Sequence, residues 1–262
     1  MATTLDLSDL LRLIDERSVA FRSAVASAPS LDARVPTCPE WTLSDLVRHL
    51  GGGDRFWATI VGTGPSDTLP ERAAAERAAV AVPHEREALS AWLAESTGLL
   101  LSALREAGPE RGCWTWWGAS QSPQNAAAVA RHRVQETAVH TYDVQVALGG
   151  PRALPEDVAL DGVDEFLSTC CATTSAWPHQ PAAFDFHAVG GASWRLTVDG
   201  DGARSRRLPA GGAEGRDRAG VSVGGTAGDL VLYLYDRVPS NSLRIDGDPE
   251  LLDLLRAWEP EE

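Results

Sequence analysis

From Leu7 to about Ser27 the apolar residues Leu10, Leu11, Ile14, Val19, Phe21 and Val25 recur at the spacing that gathers side chains on one face of a helix. A loop from Leu31 to Trp41, broken by Pro36 and Pro39, should follow. A second helix then begins at the cap residue Thr42 and runs to about Val61, with Leu43, Leu46, Leu50, Phe56, Trp57 and Ile60 in one stripe. His49 and Gly53 fall inside that stripe. The Gly/Pro-rich passage Gly62 to Pro70 and an Ala-rich segment, Ala73 to Ala81, lead to a third long helix over about Glu85 to Ala107. Its expected inward residues are Trp92, Leu99, Leu100 and Leu104, and Gly108-Pro109 ends it. After the aromatic run Trp114, Trp116, Trp117, a fourth helix extends from about Asn125 to Leu148 and stops at Gly149-Gly150-Pro151. Four long helices in about 150 residues predict a helix bundle.

The pattern changes from Pro155. A helix over Glu156 to about Cys171 precedes short strand-like runs at Ala183–Val189, Trp194–Val198 and Val221–Val223, with a charged, Gly-rich hairpin or loop between Asp199 and Gly220. Asp229 to Tyr235 reads as helical, Ser242–Ile245 as a strand and Pro249–Trp258 as a closing helix. The expected organisation is an all-α domain over residues 1–152 and an α+β domain over residues 153–262.

Composition narrows the function. With 44% hydrophobic and 23% charged residues, the 262-residue chain has the material for a packed core. Its 23 basic residues, all Arg, face 37 acidic ones, a formal charge of -14 without a basic cluster. Nucleic acid and anionic membranes are therefore poor partners. The four cysteines, Cys38, Cys113, Cys170 and Cys171, include no C-x-x-C pair, so no disulfide framework or cysteine zinc finger is expected. Without a leader-like N-terminus or a long apolar run, the expected location is the cytoplasm.

Chemistry concentrates on the fourth helix. At 100° per residue, Glu136 and His140 project about 40° apart, and His132, Arg133 and Asp143 fall within about 60° of Glu136. Val134, Ala138 and Leu148 point the other way, so this helix should pack on its apolar back and turn a polar face toward a cavity. A solvated face is the plain alternative, since Glu and His four residues apart make only a modest pair. His49, at an inward position of the second helix, needs a partner if buried. Opposite Glu136 and His140 it would complete two imidazoles and a carboxylate, a set suited to zinc or a first-row divalent metal with a coordination position open; a satisfied core histidine is the other reading.

Val35-Pro-Thr-Cys-Pro-Glu-Trp-Thr-Leu-Ser-Asp-Leu-Val-Arg-His-Leu50, the Glu136-x-x-x-His140-x-x-Asp143 helix, and the run from Val221 through Gly224-Gly-Thr-Ala-Gly-Asp-Leu-Val-Leu-Tyr-Leu-Tyr-Asp-Arg237 to Leu252 resemble the actinobacterial maleylpyruvate isomerase family of mycothiol-dependent enzymes. The resemblance covers nearly the whole chain. It implies a DinB-like up-down four-helix bundle followed by an α+β domain similar to sterol carrier proteins, with His49, Glu136 and His140 as ligands of a divalent metal, zinc by preference. Where the family often continues its last ligand with Arg-Trp-Asp, this chain has Thr141-Tyr142-Asp143.

The implied chemistry is that the metal deprotonates the thiol of mycothiol and the thiolate adds to a small electrophile, transiently in an isomerase or permanently in an S-transferase. A metal-dependent hydrolase using bound water, and a metal- or ligand-binding stress protein without turnover, are the alternatives. A monomer or small homo-oligomer is expected. Arg237, at a family-typical position, is the candidate catalytic residue: it would bind a carboxylate through both guanidinium nitrogens, or else face solvent at a helix end. Asp143 is read as orienting a ligand imidazole, with a surface salt bridge as the alternative. Trp114, Trp116 and Trp117 are pocket walls or loop anchors, and Cys38 is read as a structural thiol, since no His–Asn pair is evident for it, with a nucleophile near the mouth of the bundle as the alternative. His84, His179 and His187 have no partner pattern.

Overall fold

The computed structural model describes residues 5–79, 82–209 and 219–260. The chain divides into two compact units, Met1–Trp116 with Gln124–Leu154 and Trp117–Pro123 with Pro155–Glu262. The excursion of residues 117–123 into the second unit is a break that the expected boundary at 152/153 did not include.

The first unit contains α1 (Leu7–Ala26), a hairpin of β1 (Arg34–Val35) and β2 (Cys38–Thr42), α2 (Leu43–Thr63), α3 (Glu71–Ala79), α4 (Arg86–Ala107) and α5 (Ala126–Ala147). The four long helices form a bundle in which α1 packs on α5 and α4, and α2 packs on α4 and α5. The consecutive helices α1 and α2 are thus diagonal, and the chain between them must cross the end of the bundle. That crossing is the hairpin. Sequence periodicity could only read it as a loop, because strands of two and five residues around Pro36 and Pro39 carry no repeat. Its strands contact α5 and α2, and Leu43 and Ser44 donate backbone N–H groups to the carbonyls of Ala33 and Leu31, satisfying donors at the start of α2.

Thr42 ends the hairpin and caps α2. Its hydroxyl accepts from the Asp45 N–H at 3.2 Å, and the Asp45 carboxylate accepts from the Thr42 N–H at 2.9 Å. The Thr42 side chain is the largest influence holding the Asp45 carboxyl below its ordinary pKa. The support is therefore present above that ordinary value and lost as pH falls through the lowered one. Thr42→Ala should cost about 1 kcal/mol, measured by urea unfolding at neutral pH, and the deficit should shrink on acidification.

Leu43, Leu46, Leu50, Phe56, Trp57 and Ile60 of α2 are all buried. Other expected inward residues are not: His49 of α2 is exposed, Leu11 of α1 is half-buried, and Val19 of α1 and Leu99 of α4 are 47% and 44% exposed, while Leu13 and Leu101 are buried instead. In these helices the buried stripe is set by which neighbours the helix meets, which periodicity alone does not specify. α3 arises from the Ala-rich segment, of which residues 80 and 81 lie outside the described structure, as does the loop around Gly211.

The second unit begins with α6 (Glu156–Phe166), prolonged by a π-helical turn (Leu167–Cys171). A five-stranded sheet has the order β5 (Gly202–Arg207), β4 (Ser193–Asp199), β3 (Ala182–Ala188), β6 (Val221–Gly225), β7 (Arg244–Gly247). The β3–β6 pair is parallel and the others are antiparallel. α7 (Ala227–Leu234) packs on α6 and the sheet, and α8 (Glu250–Ala257) closes the chain. Phe184 and Phe186 on β3, Trp194 and Leu196 on β4, and Val221 and Val223 on β6 occupy one buried face, as period-two alternation requires. On the other face Arg195 clasps Asp185 through two hydrogen bonds of 2.6 and 2.8 Å. β5 decides for the hairpin over the loop in the segment after Asp199: Arg204, Arg206 and Arg207 hide the strand from a hydrophobicity pattern, yet it pairs antiparallel with β4 along its length. Ser242 belongs to a 3-10 turn rather than to the strand expected there. No helix among the described residues is long and apolar enough to cross a membrane.

Candidate metal centre

α5 is the axis of the first unit. From His132 to Val144 only Glu136 and Tyr142 among its side chains are not buried, so the expected division into an apolar back and an open polar face is replaced by a helix enclosed nearly all round. Leu148, read as part of the back, lies past its end and is half-buried. The polar groups on such a helix must be satisfied within the protein. Thr137 and Thr141 do so by donating to the carbonyls one turn back, those of Arg133 and Thr137.

His49 of α2 and the pair Glu136 and His140 of α5 come together as expected. The His49 Nε2 lies 3.1 Å, and the His140 Nε2 3.9 Å, from the same Glu136 oxygen. The imidazole centroids are 4.9 Å apart, edge to face. One ligand atom from each of the three residues lies within 4.8 Å of the others. Side-chain exposure rises from 7% at His140 through 19% at Glu136 to 38% at His49, so the cluster opens to solvent past His49. Burial opposes ionisation of Glu136, but the His49 hydrogen bond and the charges of His140, His132 and Arg133 outweigh it and hold the carboxyl well below its ordinary range.

Asp143 is completely buried and sits behind His140, accepting from its Nδ1 at 2.8 Å. A carboxylate can only accept, so the imidazole proton is at Nδ1 and the Nε2 lone pair faces Glu136 and His49. The orienting role read for Asp143 is thereby given a geometry, and the surface salt bridge is excluded. Thr37 donates to the other Asp143 oxygen at 2.6 Å. The Cys38 thiol donates to the oxygen that His140 uses, at 3.7 Å. Trp41 covers both imidazoles, with its ring 4.7 Å from that of His49 and 6.0 Å from that of His140. Thr37, Cys38 and Trp41 all belong to the hairpin region that looked like a plain loop.

The Arg133 guanidinium is buried beneath Glu136. It donates to Asp54 from Nε at 3.2 Å and Nη2 at 2.9 Å, to the Leu50 carbonyl at 3.2 Å, and approaches Glu136 from Nη1 at 3.5 Å. Asp54 also accepts from Thr97, whose hydroxyl meets Ser18. A sequence signal for this network exists. Three consecutive glycines inside α2 each weaken a helix by about 1 kcal/mol and call for a packing reason. A Cβ on Gly51 would lie 2.2 Å from the Trp92 ring of α4, and one on Gly53 would lie 2.9 Å from Arg133 Nη1 of α5.

Other candidates separate. His132 packs its ring on Trp57 and Trp116, 6.4 and 5.7 Å between centroids. Trp114 lies edge-on to Phe56. Trp117 is a buried anchor of the second unit, its indole N–H bound to the Pro123 carbonyl. Arg237 follows α7, and its Nη1 donates to the Tyr235 carbonyl at 2.7 Å.

Fold and donor set define a two-unit protein whose helical bundle gathers two histidines and a glutamate in a cluster open to solvent at His49. The family described as mycothiol maleylpyruvate isomerase N-terminal domain matches residues 11–145, and the corresponding C-terminal domain family, MDMPI, matches residues 157–254. The chain belongs to the mycothiol maleylpyruvate isomerase family. Two solved structures share its fold. A crystal structure of a mycothiol-dependent maleylpyruvate isomerase carrying a histidine-to-alanine mutation is 18% identical, with a TM-score of 0.60 over 92% of this chain and 93% of that one. A crystal structure of the mycothiol-dependent maleylpyruvate isomerase gives 18% identity and a TM-score of 0.58 over the same shares. No curated protein sequence matches the chain.

Proposed function

We propose that this protein is a mycothiol-dependent enzyme, an isomerase or S-transferase acting in the cytoplasm on a small electrophile, with a divalent cation held by His49, Glu136 and His140. The observation that carries the reading is the convergence of both Nε2 atoms on one Glu136 oxygen, from two helices, in a chain of this family. The residues fit a cation: two imidazoles and a carboxylate are a donor set that zinc accepts while leaving a position for another ligand. A bound cation supplies Lewis acidity there, which favours the thiolate form of a coordinated thiol.

The chain's own residues prepare the site. Asp143 holds the His140 proton at Nδ1, so that Nε2 stays a donor of electrons. Glu136 contributes a negative charge that its basic neighbours stabilise. Trp41 limits water over the two rings while the His49 edge remains the approach for a thiol. Arg237 is proposed to bind a carboxylate of the electrophile, on the strength of the family-like motif before it. The test is metal analysis of the purified protein, followed by mycothiol titration and turnover assays on unsaturated carboxylic acids. Stoichiometric cation, saturable thiol binding and thiol-dependent turnover are expected, and Arg237→Gln should raise KM while metal content is unchanged. Hydrolysis without any thiol, or metal without thiol binding, would overturn the proposal.

A further inference from the structure

His140 is bifunctional in its surroundings. Its Nε2 faces Glu136 and His49, whereas its Nδ1 faces Asp143 and, beyond the shared carboxylate oxygen, the Cys38 thiol. A sulfur, a nitrogen and an oxygen from Cys38, His140 and Asp143 lie within 4.8 Å of one another. Asp143 is completely buried, and its second oxygen is tied to Thr37, so the carboxylate is fixed. Cys38 on β2 is the half-buried member of the three, the other two being buried.

We propose that Cys38, His140 and Asp143 form a second cation seat, selective for thiophilic divalent ions, which competes with the His49, Glu136 and His140 seat for the one imidazole they share. Two donors, the thiol and the Nδ1–H, already converge on one oxygen of Asp143; a cation among the three atoms takes the place of both hydrogens. A thiolate ligand favours soft ions over the harder ones that suit imidazole and carboxylate. A neutral imidazole has a single lone pair. When Nδ1 binds an ion, the ring proton sits on Nε2 and points toward Glu136, so filling one seat withdraws His140 from the other. The proton balance is simple: the Cys38 proton goes to solvent and the His140 proton moves from Nδ1 to Nε2, with no oxidant or reductant. A thiophilic ion would thus silence the first centre by reorienting a proton rather than by covering the opening past His49. Cys113 and Cys171 are poor rivals as ligands, because burial raises their thiols to about 11 and about 12.

The seat itself stands on these three residues, and only the competition rests on the functional reading. The test titrates Cd2+ into metal-free wild type, Cys38→Ser and His49→Ala, following the ultraviolet sulfur-to-cadmium charge-transfer band, with Co2+ as the visible reporter of the first centre. One Cd2+ per chain should develop the band in wild type and in His49→Ala, and the band should be absent from Cys38→Ser. Cys38→Ser should retain Co2+ binding, and His49→Ala should lose it. Cd2+ added to Co2+-loaded wild type should discharge the cobalt spectrum ion for ion. A band that persists in Cys38→Ser, Cd2+ binding to wild type without a band, or both ions bound together would overturn the proposal. Absence of Co2+ binding with the cadmium band intact would instead remove the first centre and leave the thiolate seat standing.

Discussion

Glu136→Gln is expected to empty the proposed centre and to lower thiol-dependent turnover by more than the roughly 10–100-fold that loss of an outer partner costs. The amide keeps the shape of the side chain and can still accept a hydrogen bond from His49, so the bundle should unfold at nearly the wild-type urea concentration. What disappears is the negative charge between two imidazoles and beside Arg133, which offsets part of the charge a dication brings. Asp143→Asn is the graded comparison. Asn keeps one accepting oxygen for the His140 Nδ1–H while its NH2 group faces the Thr37 hydroxyl, but it accepts less strongly than a carboxylate, and metal affinity should fall by about 10–100-fold rather than vanish. Both are read by metal competition with a chromophoric chelator. Stoichiometric, tight metal in Glu136→Gln would show that Glu136 is a core carboxylate and not a ligand.

Arg133→Met is expected to destabilise the first unit by about 3–5 kcal/mol. Arg133 and Asp54 are 2% and 5% exposed, and truncating the cation leaves a carboxylate in the interior that still accepts from the Thr97 hydroxyl but has lost its counter-charge. Burial already raises the Asp54 carboxyl above its ordinary pKa, while Arg133 and the Thr97 hydrogen bond pull it back; without Arg133 it should rise further. A raised acid binds more protons folded than unfolded. The deficit in Arg133→Met is therefore smallest below the ordinary Asp pKa and grows as pH rises through the elevated one. A denaturation series across pH measures this directly, and the double variant Arg133→Met with Asp54→Leu should recover part of the loss by removing the stranded charge. An unchanged midpoint in Arg133→Met would show that the pair adds nothing. Since Nη1 of the same guanidinium approaches Glu136, the single variant should also weaken metal binding, which the double variant would not restore.

Much of the architecture was legible because it rests on local repetition. The helices α1, α2, α4 and α5 follow from apolar spacing and from caps such as Thr42 and Asn125, whose side chains accept the backbone N–H three residues on. The change to short strands after Pro155 was legible for the same reason. What periodicity missed was set by pairing or by contact. β5 is a strand because β4 offers it hydrogen bonds, despite its arginines. The hairpin Arg34–Thr42 exists because the chain must cross between diagonal helices. Val19 and Leu99 lie outside because no neighbour meets that part of their helices.

The candidate centre divides in the same way. The sequence by itself determined that Glu136 and His140 share a helix face and that the chain carries the family motifs, since spacing along one helix is a matter of rotation per residue; the inward position expected for His49 is instead the exposed edge of the cluster. Only the tertiary structure decided that His49 meets Glu136, that Asp143 sets the tautomer of His140, that Arg133 and Asp54 support the site from below, and that Cys38 and Trp41 stand over it. Apart from Asp143 and His140, which are neighbours on α5, the hydrogen bonds among those relations join residues 79 to 105 positions apart. They depend on which helices are neighbours and on glycines small enough to let side chains through, and neither is encoded in the period of a single segment.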